Sequence, residues 1–241
     1  TGLSGTISGN VVLLNNCGIS SLTVGGRNTV FGNGFTVTYS GNGQSLNNGL
    51  KQGVITVSEN GTLDNLRIVA SIYPYMAFSY KDVQNTAPKE IEGTKTRYYY
   101  QLSAISVSGN ATISNCYVYG GRCNVFVGTG DVTIKDTILE CGVASNVQII
   151  SSNEYTVTFE NVTTIQKHVS PTVGTDSEKQ DYQMLGVGIL LGELDNEQSY
   201  TSPKIILNGE FKQYNWASQS DANKINHHYS NYSFNVIKEA L

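Results

Sequence analysis

Two groups of residues in this chain carry side chains suited to holding a sugar. Tyr73, Tyr75, Tyr80, Tyr98, Tyr99 and Tyr100 crowd the segment from about 71 to 101, and a second segment, about 166 to 185, carries His168, Asp176, Glu178, Lys179, Asp181 and Tyr182. Arg122 and Glu140 stand between them. Aromatic faces stack on sugar rings while a few polar groups fix hydroxyls. The expected ligand site is therefore a groove in which Tyr73, Tyr75, Tyr98, Tyr99, Tyr100 and Tyr182 stand around Arg122 and Glu140. The same tyrosines would serve equally well to pack the segments that bear them.

Catalysis on a glycan asks for more. Hydrolysis needs an acid and a base about 5 to 10 Å apart, and many eliminations use calcium with a cationic base. The acidic grouping on offer is Asp136, Glu140 and Glu160 near Arg122. Asp136 suits a tight corner better than a general acid, because Asn and Asp tolerate the left-handed conformation and bond to nearby backbone. Glu140 and Arg122 remain as the catalytic candidates. An adjacent Asp-Asp pair, Gly-His-Gly and Arg-Ile-Lys are all missing from the sequence. The enzyme reading, a polysaccharide lyase or glycoside hydrolase, therefore stands as the alternative to a binding module. His227 and His228 would point to opposite faces of a strand, with no acid or Cys adjoining them, so no metal and no cofactor is expected. Cys123 and Cys141 fall near one edge of adjacent repeats and suit a disulfide, whereas Cys116 reads as an inward core thiol.

The elements that position these residues follow from a repeat. Ala111-Thr-Ile-Ser-Asn115-Cys-Tyr-Val118 aligns with Val132-Thr-Ile-Lys-Asp136-Thr-Ile-Leu139 and with Val157-Thr-Phe-Glu-Asn161-Val-Thr-Thr164, at spacings of 21 and 25. Gly61-Thr-Leu-Asp-Asn65-Leu-Arg-Ile68 fits the same frame, and Ile205-Ile-Leu-Asn208 fits it loosely, while Ser21 and Asn42 are faint marks of earlier turns. Apolar positions alternate on either side of the Asn or Asp, as strands with one buried face require. Leu66, Cys116, Thr137 and Val162 are expected in one inward file, and Ile68, Val118, Leu139 and Thr164 in the next. A second strand recurs at Ile55/Val57, Ile105/Val107, Val125/Val127, Val147/Ile149 and Ile189/Leu191. About 22 residues per repeat, with short strands and no helical pattern, describes a rung of a β-solenoid rather than a leucine-rich repeat or a propeller blade. Stacked rungs place equivalent residues about 4.8 Å apart, so Asn65, Asn115, Asp136 and Asn161 are expected to form a hydrogen-bonded ladder at a corner.

Through coil length, inward aliphatic files and the Asn corner, the chain resembles the right-handed parallel β-helix proteins of the pectate-lyase-like superfamily. Thr29-Val-Phe-Gly-Asn-Gly-Phe-Thr-Val37 is similar to their early rungs. The likeness is one of architecture, and no catalytic residue carries over from it. It implies an all-β, right-handed single-stranded parallel β-helix over residues 1–211, interrupted at about 71–101 and 166–185. Residues 212–241 are expected to form a C-terminal cap or tail. Both interruptions leave the coil just after the strand that follows the corner, so they are expected on one edge, about three rungs apart.

Charged residues make up 14% of the chain and the net charge is −4. With no basic run to track phosphates, nucleic acid is not an expected partner. No stretch approaches the roughly 20 apolar residues of a membrane span. Poor in Lys and rich in Asn, Ser, Thr and Tyr, the surface fits a secreted or cell-surface protein, and the chain reads as a segment of a longer one. The expected function is binding of a glycan or host ligand between the two loops. Alternatives are the carbohydrate-active enzyme and a structural spacer within a larger surface or phage fibre protein.

Overall fold

The structure, a computed structural model, describes residues 2–39, 53–70, 102–121, 123–140, 145–166, 187–191, 201–215, 226–227 and 233–238. It is all-β in these residues, and its strands pair in parallel in three rows. One row holds β1 (Leu3–Thr6), the later part of β3 (Cys17–Val24), β6 (Gly53–Val57), β9 (Ser103–Ser108), β12 (Cys123–Thr129), β14 (Ser145–Ile149), β16 (Val187–Leu191) and β18 (Asn226–His227). The second holds β2 (Val11–Val12), β4 (Thr29–Phe31), β7 (Gly61–Asp64), β10 (Ala111–Ser114), the first parts of β13 (Val132–Glu140), β15 (Thr156–Gln166) and β17 (Thr201–Asn215), then β19 (Ser233–Lys238). The third joins the start of β3 to β5 (Thr36–Tyr39), β8 (Arg67–Val69), β11 (Tyr117–Tyr119) and the later parts of β13, β15 and β17. Each strand thus pairs with its equivalent in the next repeat, a topology consistent with a parallel β-helix.

The register follows the repeat. Gly61, Ala111, Val132, Val157 and Ile205 pair in succession, as do Ile55, Ile105, Val125, Val147 and Ile189. Thr29, Thr62, Thr112, Thr133 and Thr158 line one outward file, where β-branched side chains pack across strands. Leu66, Cys116, Thr137 and Val162 are buried, and so are Ile68, Val118, Leu139 and Thr164. Thr137 is tolerated among aliphatic neighbours because its hydroxyl is satisfied: it donates to the Lys135 carbonyl at 2.7 Å and accepts from the Cys116 amide at 3.2 Å.

The corner between the second and third rows needs a left-handed residue. Asn65, Asn115, Asp136 and Asn161 have φ of 54°, 53°, 47° and 52°, a region that Asn and Asp enter more readily than most residues. Asn161 Nδ2 donates to Asp136 Oδ1 at 3.1 Å, while Asn115 Nδ2 donates to Asp64 Oδ1 at 2.8 Å. The flanking levels differ from the spacing-based reading. Ser21 lies within β3 opposite Ser4, and Asn33, with φ of 56°, occupies the turn above Asn65. Downstream, Asn208 pairs with Glu160, and Gly209 (φ 64°) takes the corner, because β17 inserts an extra residue there. A Cβ on Gly209 would lie 2.2 Å from Asn161 Oδ1, so a side chain there would have to displace the Asn161 amide as well as adopt the left-handed conformation.

The first row is buried on both faces at β9, β12 and β14. Val125, Val127, Val147 and Ile149 join the main apolar cluster, while Ser106, Phe126 and Gln148, which alternate with such core residues, form a second buried file. The third row instead leaves its outward face open at several positions. Strand pairing continues past Phe211 to Asn215 and on through β18 and β19. Most of 212–241, like 71–101 and 167–186, lies outside the described residues. No helix among the described residues is long and apolar enough to cross a membrane.

Candidate functional site

After each corner the chain turns one side chain inward, one outward, one inward and one outward, as the pleat dictates. At successive levels this places Thr36, Arg67, Tyr117, Ile138, Thr163 and Lys212 in one register file of the third row. Thr38, Val69, Tyr119, Glu140 and Ile165 form the next. Their inward neighbours Ile68, Val118 and Leu139 anchor the strands in the core.

Three of these outward side chains bond across three levels. The Arg67 guanidinium lies over the Tyr117 ring, with Cζ 4.2 Å from its centroid. The Tyr117 hydroxyl donates to Glu140 Oε2 at 2.6 Å. Beside them Ile138 is 41% exposed, a large apolar side chain left in solvent next to a phenol and a carboxylate. At the far end Lys212 Nζ lies 2.8 Å from Glu210 Oε1.

The backbone beneath Glu140 is braced from inside. Asn124 Nδ2, fully buried, donates to the Glu140 carbonyl at 2.8 Å and to Asn146 Oδ1 at 2.7 Å, and Asn146 Nδ2 donates to the Ile165 carbonyl at 3.2 Å. This buried amide pair ties the ends of β13 and β15 to the next row. Sequence reasoning missed it, although Asn124 and Asn146 hold matching places in Cys123-Asn-Val-Phe-Val and Ser145-Asn-Val-Gln-Ile.

Of the residues expected at the ligand site, Glu140 is placed on this face. Tyr73, Tyr75, Tyr98, Tyr99, Tyr100, Arg122 and Tyr182 lie outside the described residues. Arg67, Tyr117, Tyr119 and Ile138 were overlooked because their places in the repeat marked them as ordinary outward strand positions. The signal was present in the alignment, where Arg67 and Tyr117 share one outward position. Asp136 and Glu160 belong to the corner and the second row, not to this face. Among the described residues no second carboxylate stands in the two files with Glu140, and no three His, Cys, Asp or Glu gather as a metal set.

Cys123 is buried, its Sγ 3.2 Å from Gln148 Oε1 and 3.4 Å from Ser145 Oγ. The expected partner of its disulfide, Cys141, lies outside the described residues. Cys116 is inward, and burial pushes its thiol pKa up to about 12 because a thiolate would lose its hydration there. No known protein family, curated protein or solved structure matches this chain.

Proposed function

We propose that this chain is a right-handed parallel β-helix of pectate-lyase-like architecture, secreted or carried on a cell surface, that holds a glycan against the outward face of β8, β11 and β13. The reading rests on the linked Arg67–Tyr117–Glu140 set with Ile138 beside it. Sugar recognition combines an apolar or aromatic surface with a few fixed hydrogen-bonding groups, and this face offers that combination. The strands bearing it end at Val69 and Glu140, next to segments 71–101 and 141–144, so the tyrosines of the first segment are candidates to extend the same surface. Binding is favoured over hydrolysis because, among the described residues, the two register files that flank Glu140 carry no second carboxylate.

The test is a glycan array on the full chain, repeated with Tyr117→Ala and with Tyr98, Tyr99 and Tyr100 each changed to Ala. Reducing-end and unsaturated-product assays follow on any ligand found. Binding lost in Tyr117→Ala with no product formed supports the binding module. Product formation moves the assignment to a lyase or hydrolase, and silence across the array moves it to a spacer.

A further inference from the structure

The third-row face has a charge arrangement that narrows the class of glycan, an inference that rests on the binding role proposed above. Its described cations are each already engaged. Arg67 Cζ lies over the Tyr117 ring, 4.2 Å from its centroid, and Lys212 is paired with Glu210 at 2.8 Å. Glu140 accepts the Tyr117 hydroxyl through Oε2. Arg67 and Glu140 are thus tied to opposite parts of a single tyrosine, two strand spacings or about 10 Å apart along the row.

Such a set recognises hydroxyls more readily than charges. The carboxylate can accept sugar hydroxyls, the guanidinium edge can donate to them, and Ile138 gives an apolar place for a ring face. An acidic polymer meets a different situation. A uronate that pairs with the guanidinium edge of Arg67 carries the next carboxylates along the polymer toward Glu140. Like charges in one desolvated contact oppose binding.

We infer that the surface of Arg67, Tyr117, Ile138 and Glu140 selects a neutral polysaccharide and discriminates against polyuronates, with Glu140 as the residue that sets the discrimination. A uniform field would attract or repel a polyanion at long range. Here one cation and one carboxylate engage the same tyrosine and their fields largely cancel beyond it, so selection acts at contact and binding of the neutral ligand is insensitive to salt.

The experiment is calorimetric titration of the full chain with a soluble neutral β-glucan, a neutral mannan and polygalacturonate, at low and high salt. The expected result is binding of at least one neutral polymer, little changed by salt, and polygalacturonate at least about tenfold weaker. In Glu140→Gln, with thermal unfolding checked against the native chain, the gap between the two classes is expected to narrow. Polygalacturonate bound as tightly as the neutral polymers by the native chain, with affinity falling as salt rises, overturns the neutral-ligand inference and leaves the glycan reading standing. A gap unchanged in a folded Glu140→Gln removes Glu140 from the role of selector. If no polymer of either class binds and the glycan array is also silent, the binding role itself fails and this inference with it.

Discussion

Tyr117 and Glu140 are 23 residues apart in the chain and diagonal neighbours on adjacent strands, the phenol donating to the carboxylate at 2.6 Å. Arg67, on the strand before, stacks on the same ring. A half-buried surface bond to a charged group contributes about 1 kcal/mol or less, and an exposed cation–π contact about the same. Tyr117→Phe is therefore expected to leave the fold intact and lower the melting temperature by only about 2–4 °C. Arg67→Ala combined with Tyr117→Ala should show coupling of about 0.5 kcal/mol in a double-mutant cycle by denaturant unfolding. Strict additivity would mean that the stacked pair contributes nothing in solution.

The buried brace behind Glu140 should matter more than the surface contacts. Asn124→Ala removes donors to the Glu140 carbonyl and to Asn146 Oδ1, in a place water does not reach. The expected loss is about 2–3 kcal/mol, and affinity for the proposed glycan ligand should fall with it because the end of β13 is no longer held. A variant as stable as the native chain would show that the brace is dispensable.

The corner residues separate two effects. Asn115 sits at φ 53° and bonds to Asp64. Asn115→Ala loses both the tolerance for that conformation and the bond, so about 1–3 kcal/mol is expected. Asn115→Gly keeps the backbone at ease and should lose about 1 kcal/mol or less. Equal losses in chemical denaturation would assign the whole effect to the side-chain bond.

Close packing against neighbouring backbone is severe at Gly130. At φ 95°, a Cβ there would come within 2.2 Å of the Gly109 carbonyl carbon. Gly130→Ala is expected to destabilise by more than about 3 kcal/mol or to abolish soluble expression. Gly9, where a Cβ meets nothing within 4 Å, supplies the control, and Gly9→Ala should be close to neutral.

The Cys116 thiol gives a pH signature. Its pKa rises from 9.0 to about 12 through burial. A raised thiol pKa means the native state keeps a proton that the unfolded chain releases. The associated stability is intact below pH 9 and is lost as pH climbs toward 12, at up to roughly 1.4 kcal/mol per pH unit. Urea midpoints measured from pH 8 to pH 10.5 should fall in the native chain and fall less in Cys116→Val. Parallel slopes would show that this thiol does not control the alkaline limb.

The repeat of Asn65, Asn115, Asp136 and Asn161 was legible in the sequence because an unusual backbone angle admits few residue types, and the inward files because each pleat buries alternate positions. Those two local rules also set the register of Gly61, Ala111, Val132 and Val157. The downstream corner misled the spacing argument, since Gly209 serves the same left-handed turn without an amide to mark it. Tertiary structure alone linked the outward residues of the third row. Glu140 was a candidate from the sequence, but Arg67 and Tyr117 are ordinary outward positions in their own strands, and the three become one linked group only when successive strands pair. Ser106, Phe126 and Gln148, which alternate with the core residues of the first row, are buried too, although alternation alone assigns their side to solvent. Alternation fixes which side of its own strand a residue occupies, whereas what lies against that side is set by segments far away in the chain.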